Sequence, residues 1–248
     1  MTQVAELSHT IPEKTRNAIE NFRKSVVDAL GDQVGSVIVY GGVTRDEYYP
    51  SESDVNVLLV LTDVSVAVLD KIVRPYQKGF RDINLDAIIL TEDQLRGSMD
   101  VFPVRFKEMK QSHQLIWGRD VLADLDISDD YLKLLAVQEI KNLQLRLHRI
   151  YLLNSRKSKT LQRALTSALA PYLSALGAAL VVKTGQSPIK KRDIAETASA
   201  EFDLDFSLLQ SPMELKSHDR KADVAELRTL YDSFMTTVDR TADIVDNP

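Results

Sequence analysis

Val34-Gly35-Ser36-Val37-Ile38-Val39-Tyr40-Gly41-Gly42-Val43-Thr44-Arg45, followed across a polar loop by Ser53-Asp54-Val55-Asn56-Val57-Leu58-Leu59-Val60-Leu61, is the part of this chain from which its architecture can be read. Val34 to Tyr40 is rich in β-branched residues and reads as a strand. Val55 to Leu61 is almost continuously apolar, which predicts a strand covered on both faces of its sheet. A glycine pair directly after a strand lets the backbone turn tightly and come close to a phosphate with its N–H groups. Side chains alternate along a strand, so Asp54 and Asn56 share a face, roughly 6.6–7 Å apart.

The pattern extends on both sides of this segment. Upstream, Ile19, Phe22, Val26, Val27 and Leu30 form one helical stripe between Pro12 and Gly31, which suit the first turn and the C-terminal cap. Downstream, Asp63 or Ser65 caps a helix that runs to about Lys78. A third strand, Ile83 to Leu90, carries Asp86, and Thr91 with Gln94 forms a capping box for a short helix. Gln114 to Trp117 reads as a short last strand stopped by Gly118. After about Asp130 the period changes to that of helices. These are expected over Tyr131–Asn154, over Thr160–Lys183, from Ser187-Pro188, and over Asp219–Val245. Short connections between such helices suggest an antiparallel bundle. The expected fold class is therefore a mixed-sheet α/β domain over residues 1–125 followed by an all-α bundle over 126–248. Asp124, Asp126, Asp129 and Asp130 crowd the linker.

Composition removes several function classes. With 44% hydrophobic residues in 248, the chain can bury a real core. A formal charge of -5 gives no support to bulk nucleic-acid binding, which needs a clustered basic face. The absence of cysteine excludes disulfides, thiolate metal sites and cysteine nucleophiles. Met1 to Thr10 lacks the apolar core of a signal peptide, and the run Ala175 to Val182 is too short to span a bilayer. The expectation is a cytoplasmic protein with no membrane partner.

Three groups of residues could carry chemistry. Asp54, Asn56 and Asp86 could present oxygen ligands on one face of neighbouring strands, where clustered carboxylates hold Mg²⁺ against phosphate oxygens. Gly41, Gly42, Arg45 and Ser53 surround them as candidate nucleotide contacts. Each has a plainer reading: a tight turn for the glycines, local backbone capping for Asp54 and Asn56, and a salt bridge to Arg45 or Arg81 for Asp86, with Asp82 as its rival. Lys190, Lys191 and Arg192 read as a solvated helix end. His9, His113, His148 and His218 lack metal-ligand spacing and read as ordinary.

The segment from Gly41 to Asn56 resembles the signature of the DNA polymerase β-like nucleotidyltransferase superfamily, which has glycine-serine, a loop, then aspartate-x-aspartate. The stretch Leu115-Ile116-Trp117-Gly118-Arg119-Asp120-Val121-Leu122 is similar to the segment joining that family's catalytic domain to its helical partner. The bundle resembles that of the kanamycin-type members. The resemblance implies a Mg²⁺-dependent transfer of a nucleoside monophosphate from a nucleoside triphosphate to an acceptor hydroxyl. By position, Gly41 and Gly42 would be the phosphate loop, Asp54 the first metal ligand, Asp86 the third carboxylate and general base, and Arg45 a basic loop residue. It also implies pairing of two copies, with the acceptor unspecified. Two departures stand out. Gly42 replaces serine, and Asn56 replaces the second aspartate, bringing an amide where two close cations need an anion. A non-catalytic nucleotide-sensing or protein-interaction module is therefore the alternative.

Overall fold

In a computed structural model the chain is described over residues 7, 11–45, 47–50, 53–127, 132–217 and 222–246. Asp129, Asp130, His9, His218 and the expected helix starts Tyr131 and Asp219 lie outside these residues. The chain divides into two compact units, Met1–Phe102 with Phe106–Ile127, and Pro103–Arg105 with Ser128–Pro248.

The first unit is built on a four-stranded sheet in the order β3-β2-β1-β4, with β1 Val34–Tyr40, β2 Val55–Leu61, β3 Leu85–Thr91 and β4 His113–Gly118. β1 pairs antiparallel with both β2 and β4, whereas β2 and β3 run parallel. Parallel neighbours need a crossover, and α2, Val66–Ile83, supplies it. Helix α1, Glu13–Leu30, and α2 cover one face. There Ile19, Phe22, Val26, Val68 and Ile72 are buried against Val37, Val39, Val57 and Leu59. The other face packs Ile38, Leu58 and Val60 against Leu95 of α3, Glu92–Arg96, and against Phe106 and Met109 of α4, Pro103–Gln111, with Leu122 and Leu125. Two covered faces explain why β2 reads as an unbroken apolar run.

Several boundaries differ from the sequence reading. α2 continues past Lys78 to Ile83 and closes on Asn84, which adopts a left-handed conformation (φ 50°), so the third strand starts at Leu85 rather than Ile83. Pro12 caps α1 from outside instead of entering its first turn. The capping box of Thr91 and Gln94 forms, with both reciprocal hydrogen bonds present. α4 escaped the sequence reading because its apolar residues are too few to make a stripe. Gly118, at φ +82°, is required: a Cβ there would lie 2.0 Å from the Gly35 carbonyl oxygen.

The second unit is all helical. α5 spans Leu132–Asn154, α6 Ser158–Thr184, α7 Lys191–Glu201, α8 Ser207–Ser217 and α9 Val224–Asp246. The segment expected as one helix from Ser187 is two, because Asp203 turns left-handed (φ 52°) after α7, and Asp205 caps α8 by accepting the Ser207 N–H at 2.9 Å. Small residues Ala175, Gly177, Ala178 and Ala179 let neighbours approach α6 closely. Tyr172 meets Phe234 edge-on with ring centroids 5.4 Å apart, and its hydroxyl lies 2.7 Å from that of Thr241. Among the described residues α6 is the one helix long and apolar enough to cross a bilayer, yet 72% of that stretch is buried, as in a core helix.

Candidate functional site

The glycine turn lies where β1 ends. Gly41–Thr44 forms one 3-10 turn, entered at Gly41 with φ +84°, a region that costs any other residue. Gly42 accepts from the N–H groups of Arg45 and Glu47 through its carbonyl, at 3.2 and 3.0 Å. A Cβ on Gly41 would stand 3.1 Å from Nδ2 of Asn56, so the turn and the Asn56 side chain are in direct apposition.

Sheet register arranges the polar residues of this corner. Asn56 pairs with Asp86 across β2–β3 and with Tyr40 across β1–β2, while Tyr40 pairs with His113 across β1–β4. Paired residues share a face, so Asp86, Asn56, Tyr40 and His113 form one row across the sheet, at steps of about 4.8 Å. Asp54 precedes the first residue of β2. Its Oδ1 accepts from the Asn84 side chain, and the Asn84 carbonyl accepts the Val55 N–H at 3.3 Å. These bonds tie the start of β2 to the start of β3. Asp54 and Asp86 are both exposed and Asn56 is half-buried. Asp86 therefore needs no buried counter-charge, because it sits at the rim where water reaches it. Asp82, its rival in the sequence, lies on the exposed side of α2 and pairs with Lys78 at 3.7 Å.

Arg45 and Ser53 are turned to other partners. Arg45 is buried and ion-paired, Nε to Glu47 at 3.1 Å and its terminal nitrogen to Glu108 at 2.8 Å. Ser53, also buried, closes a local loop: its N–H donates to the Tyr49 carbonyl at 2.8 Å and its Oγ accepts the Tyr49 N–H at 3.1 Å. Both brace the loop between β1 and β2. In the second unit, Lys191 donates to Ser174 Oγ at 2.8 Å and Arg192 pairs with Glu196 at 3.2 Å, so both cations have local partners.

The sequence reading missed the support that α4 and β4 give the turn. The Ser112 carbonyl accepts from the Gly41 N–H at 3.4 Å and from Thr44 Oγ1 at 3.0 Å, and the two hydroxyls lie 2.9 Å apart. Pro103 at the first helical position was the available signal for α4. Nothing in sequence spacing marks Glu108 and Ser112 as partners of residues more than sixty positions upstream.

Among the described residues no three His, Asp or Glu side chains converge as a metal-holding group. The oxygen donors of this corner are two carboxylates and one amide. That set suits one hard cation shared with phosphate oxygens, since Mg²⁺ commonly takes one or two carboxylates plus substrate phosphates. Two adjacent divalent cations would meet only two negative side chains there.

No family model matches the chain, and no curated protein does. Among solved structures it is similar to a spectinomycin adenyltransferase from Enterococcus faecialis, solved with ATP and spectinomycin. The TM-score is 0.62 at 10% identity, covering 90% of this chain and 98% of that one. At that identity the likeness is one of fold: the chain has a nucleotidyltransferase-like α/β unit followed by a helical one.

Proposed function

We propose that this chain binds a nucleoside triphosphate at the corner formed by Gly41, Gly42, Asp54, Asn56 and Asp86, and that it no longer transfers the nucleotidyl group efficiently. The observation that carries this reading is the register of Asn56, opposite Asp86 and against Gly41. A turn that brings backbone close to a ligand beside two rim carboxylates is suited to a phosphate chain with one Mg²⁺, held by Asp54 and Asp86. Such an ion would neutralise phosphate charge. Asn56 offers a carbonyl oxygen but no charge, so a second divalent ion would find no further anionic side chain here. The protein then reports nucleotide through binding, as a sensing or interaction module.

The catalytic reading is supported by two carboxylates, Asp54 and Asp86, at the adjoining starts of β2 and β3. There, Asp86 would take the proton of an acceptor hydroxyl as it attacks the α-phosphate, and pyrophosphate would leave. The fold neighbour was solved with ATP and with spectinomycin. Acceptor choice lives in the shape of a site, and fold alone does not carry it over.

Thermal unfolding with and without MgATP tests the binding claim. A ligand held only by the native state raises Tm in proportion to the logarithm of its concentration over Kd. A rise that continues with the logarithm of MgATP concentration into the millimolar range is expected. An unchanged Tm there removes both readings.

A further inference from the structure

His113 opens β4 where α4 ends, and its ring is held at both nitrogens. Nδ1 lies 3.1 Å from the carbonyl oxygens of Met109 and of Lys110. Nε2 lies 3.0 and 3.2 Å from the two carboxylate oxygens of Asp120. Carbonyl and carboxylate oxygens only accept, so both contacts form together only when both ring nitrogens carry hydrogen.

Asp120 is built for this partner. Burial pushes its carboxyl up, but the hydrogen bond and charge of His113 and the N–H groups of Ala123 and Leu122 outweigh burial and hold it below the usual carboxylate range. The other titratable residues on the adjoining elements are Lys110 and Glu108 in the last turn of α4 and Tyr40, paired with His113 across β1 and β4. Lys110 donates to the Leu125 carbonyl at 2.6 Å, Glu108 is paired with Arg45, and Tyr40 stands opposite in register. Side chains of these types do not ordinarily change charge between pH 5 and 8, whereas imidazole does.

One residue separates this ring from the glycine turn. The Ser112 carbonyl accepts from Gly41 and Thr44, as described above. A ring with only one N–H must release either the α4 carbonyls or Asp120, so the residue after Ser112 loses one of the two holds on its ring while the Ser112 N–H keeps the Glu108 and Met109 carbonyls.

We propose that the His113–Asp120 pair is a positioning clasp that sets the glycine turn through Ser112, so that the turn holds a triphosphate more tightly when the imidazole is protonated. This rests on the reading of Gly41–Gly42 as the phosphate site.

Calorimetric titration of MgATP across about pH 5.5 to 8 into the wild type, H113N and D120N tests it. H113N reports the ligand's own titration. D120N keeps the Oδ1 acceptor for the Leu122 and Ala123 amides, so it avoids the folding defect that truncation would bring. Measured against the H113N profile, the wild type loses about three- to tenfold in affinity as pH rises, the net size of one ordinary hydrogen bond, and D120N loses less. Parallel wild-type and H113N profiles overturn the clasp. Nitrogen and amide NMR of the nucleotide-free protein separates the two claims. The Gly41 amide shift should change with pH in the wild type and stay fixed in H113N. A coupled Gly41 without nucleotide binding upholds the clasp and removes the phosphate reading. An uncoupled Gly41 overturns the clasp whatever binds.

Discussion

Asn56 stands directly opposite Asp86 across the parallel pair of β2 and β3, so the neutral residue occupies the middle of the polar row and a charged one its edge. Placing a carboxylate at 56 would set two acidic side chains directly opposite each other, with Asp54 just before β2. Asn56→Asp should therefore cost up to ~1 kcal/mol in metal-free buffer, as like charges on neighbouring strands do. Added Mg²⁺ should return that loss, and pyrophosphate release from ATP should rise by ~10² over the wild type, the scale of one regained electrostatic stabiliser. Melting curves with and without Mg²⁺, together with a pyrophosphate assay over a panel of hydroxyl acceptors, read both effects. A variant as inert as the wild type in that panel means the corner is not a disabled transferase site.

Gly41 is fixed by backbone rather than by space. Its φ of +84° is strained for any residue with a Cβ, while the atom such a Cβ would meet is the amide end of Asn56. Gly41→Ala should cost ~1–2 kcal/mol, typical of a side chain forced left-handed. Truncating the amide neighbour in Gly41→Ala/Asn56→Ala should recover little of it. Urea unfolding of the single and double variants measures this, and a large recovery would mean that crowding, not φ, makes glycine necessary.

Arg45 braces the loop through two carboxylates, Glu47 beside it and Glu108 on α4. Its side chain is only 7% exposed, so screening by water is weak. Arg45→Lys keeps the charge but loses the fork that reaches both partners, and should cost ~1–3 kcal/mol. Glu108→Gln should cost less, since an amide oxygen still accepts. If Arg45→Lys is neutral in denaturation, the two pairs do not hold the loop.

The sequence made the core of this unit legible because burial on both faces writes a continuous apolar run into β2, and because glycines and Asp54 punctuate its approach. Asn84 was less visible. The end of α2 carries Phe80 and Ile83 at helical spacing, but Ile83 equally begins an apolar run, and only the left-handed Asn84 separates helix from strand. The clasp of His113 and the Ser112 bond to Gly41 were invisible for a different reason. They join residues whose separation in sequence is set by how β4 returns beside β1, and local periodicity carries no information about that. Arg45 shows the converse: a basic residue in a phosphate-like loop is consumed by acidic neighbours that only the fold brings to it.

In the helical unit the buried Tyr172 and Phe234 should behave differently on truncation. Tyr172→Phe removes one hydroxyl, and its partner Thr241 keeps a 2.7 Å bond to the Thr237 carbonyl, so the loss should be ~1 kcal/mol. Phe234→Ala opens a cavity against the Tyr172 ring and should cost ~3–5 kcal/mol. Equal losses in chemical denaturation would indicate that the core around Phe234 collapses to fill the space.

Acid should weaken the first unit through Asp120. Its carboxyl is held below the ordinary range in the folded chain, so the unfolded state takes up its proton first as pH falls. A group depressed by folding contributes stability above its unfolded pKa, near 4, and that contribution is lost as pH drops through the folded value. Wild-type stability should thus decline below about pH 4 with a component that Asp120→Asn lacks. At pH 6 the variant should be the less stable protein, and the gap should close toward pH 2–3 as the wild-type carboxyl protonates. Denaturant midpoints for both proteins at matched ionic strength resolve it. A gap that persists unchanged into acid would mean that the charge of Asp120 does no work there and that only its accepting oxygens matter.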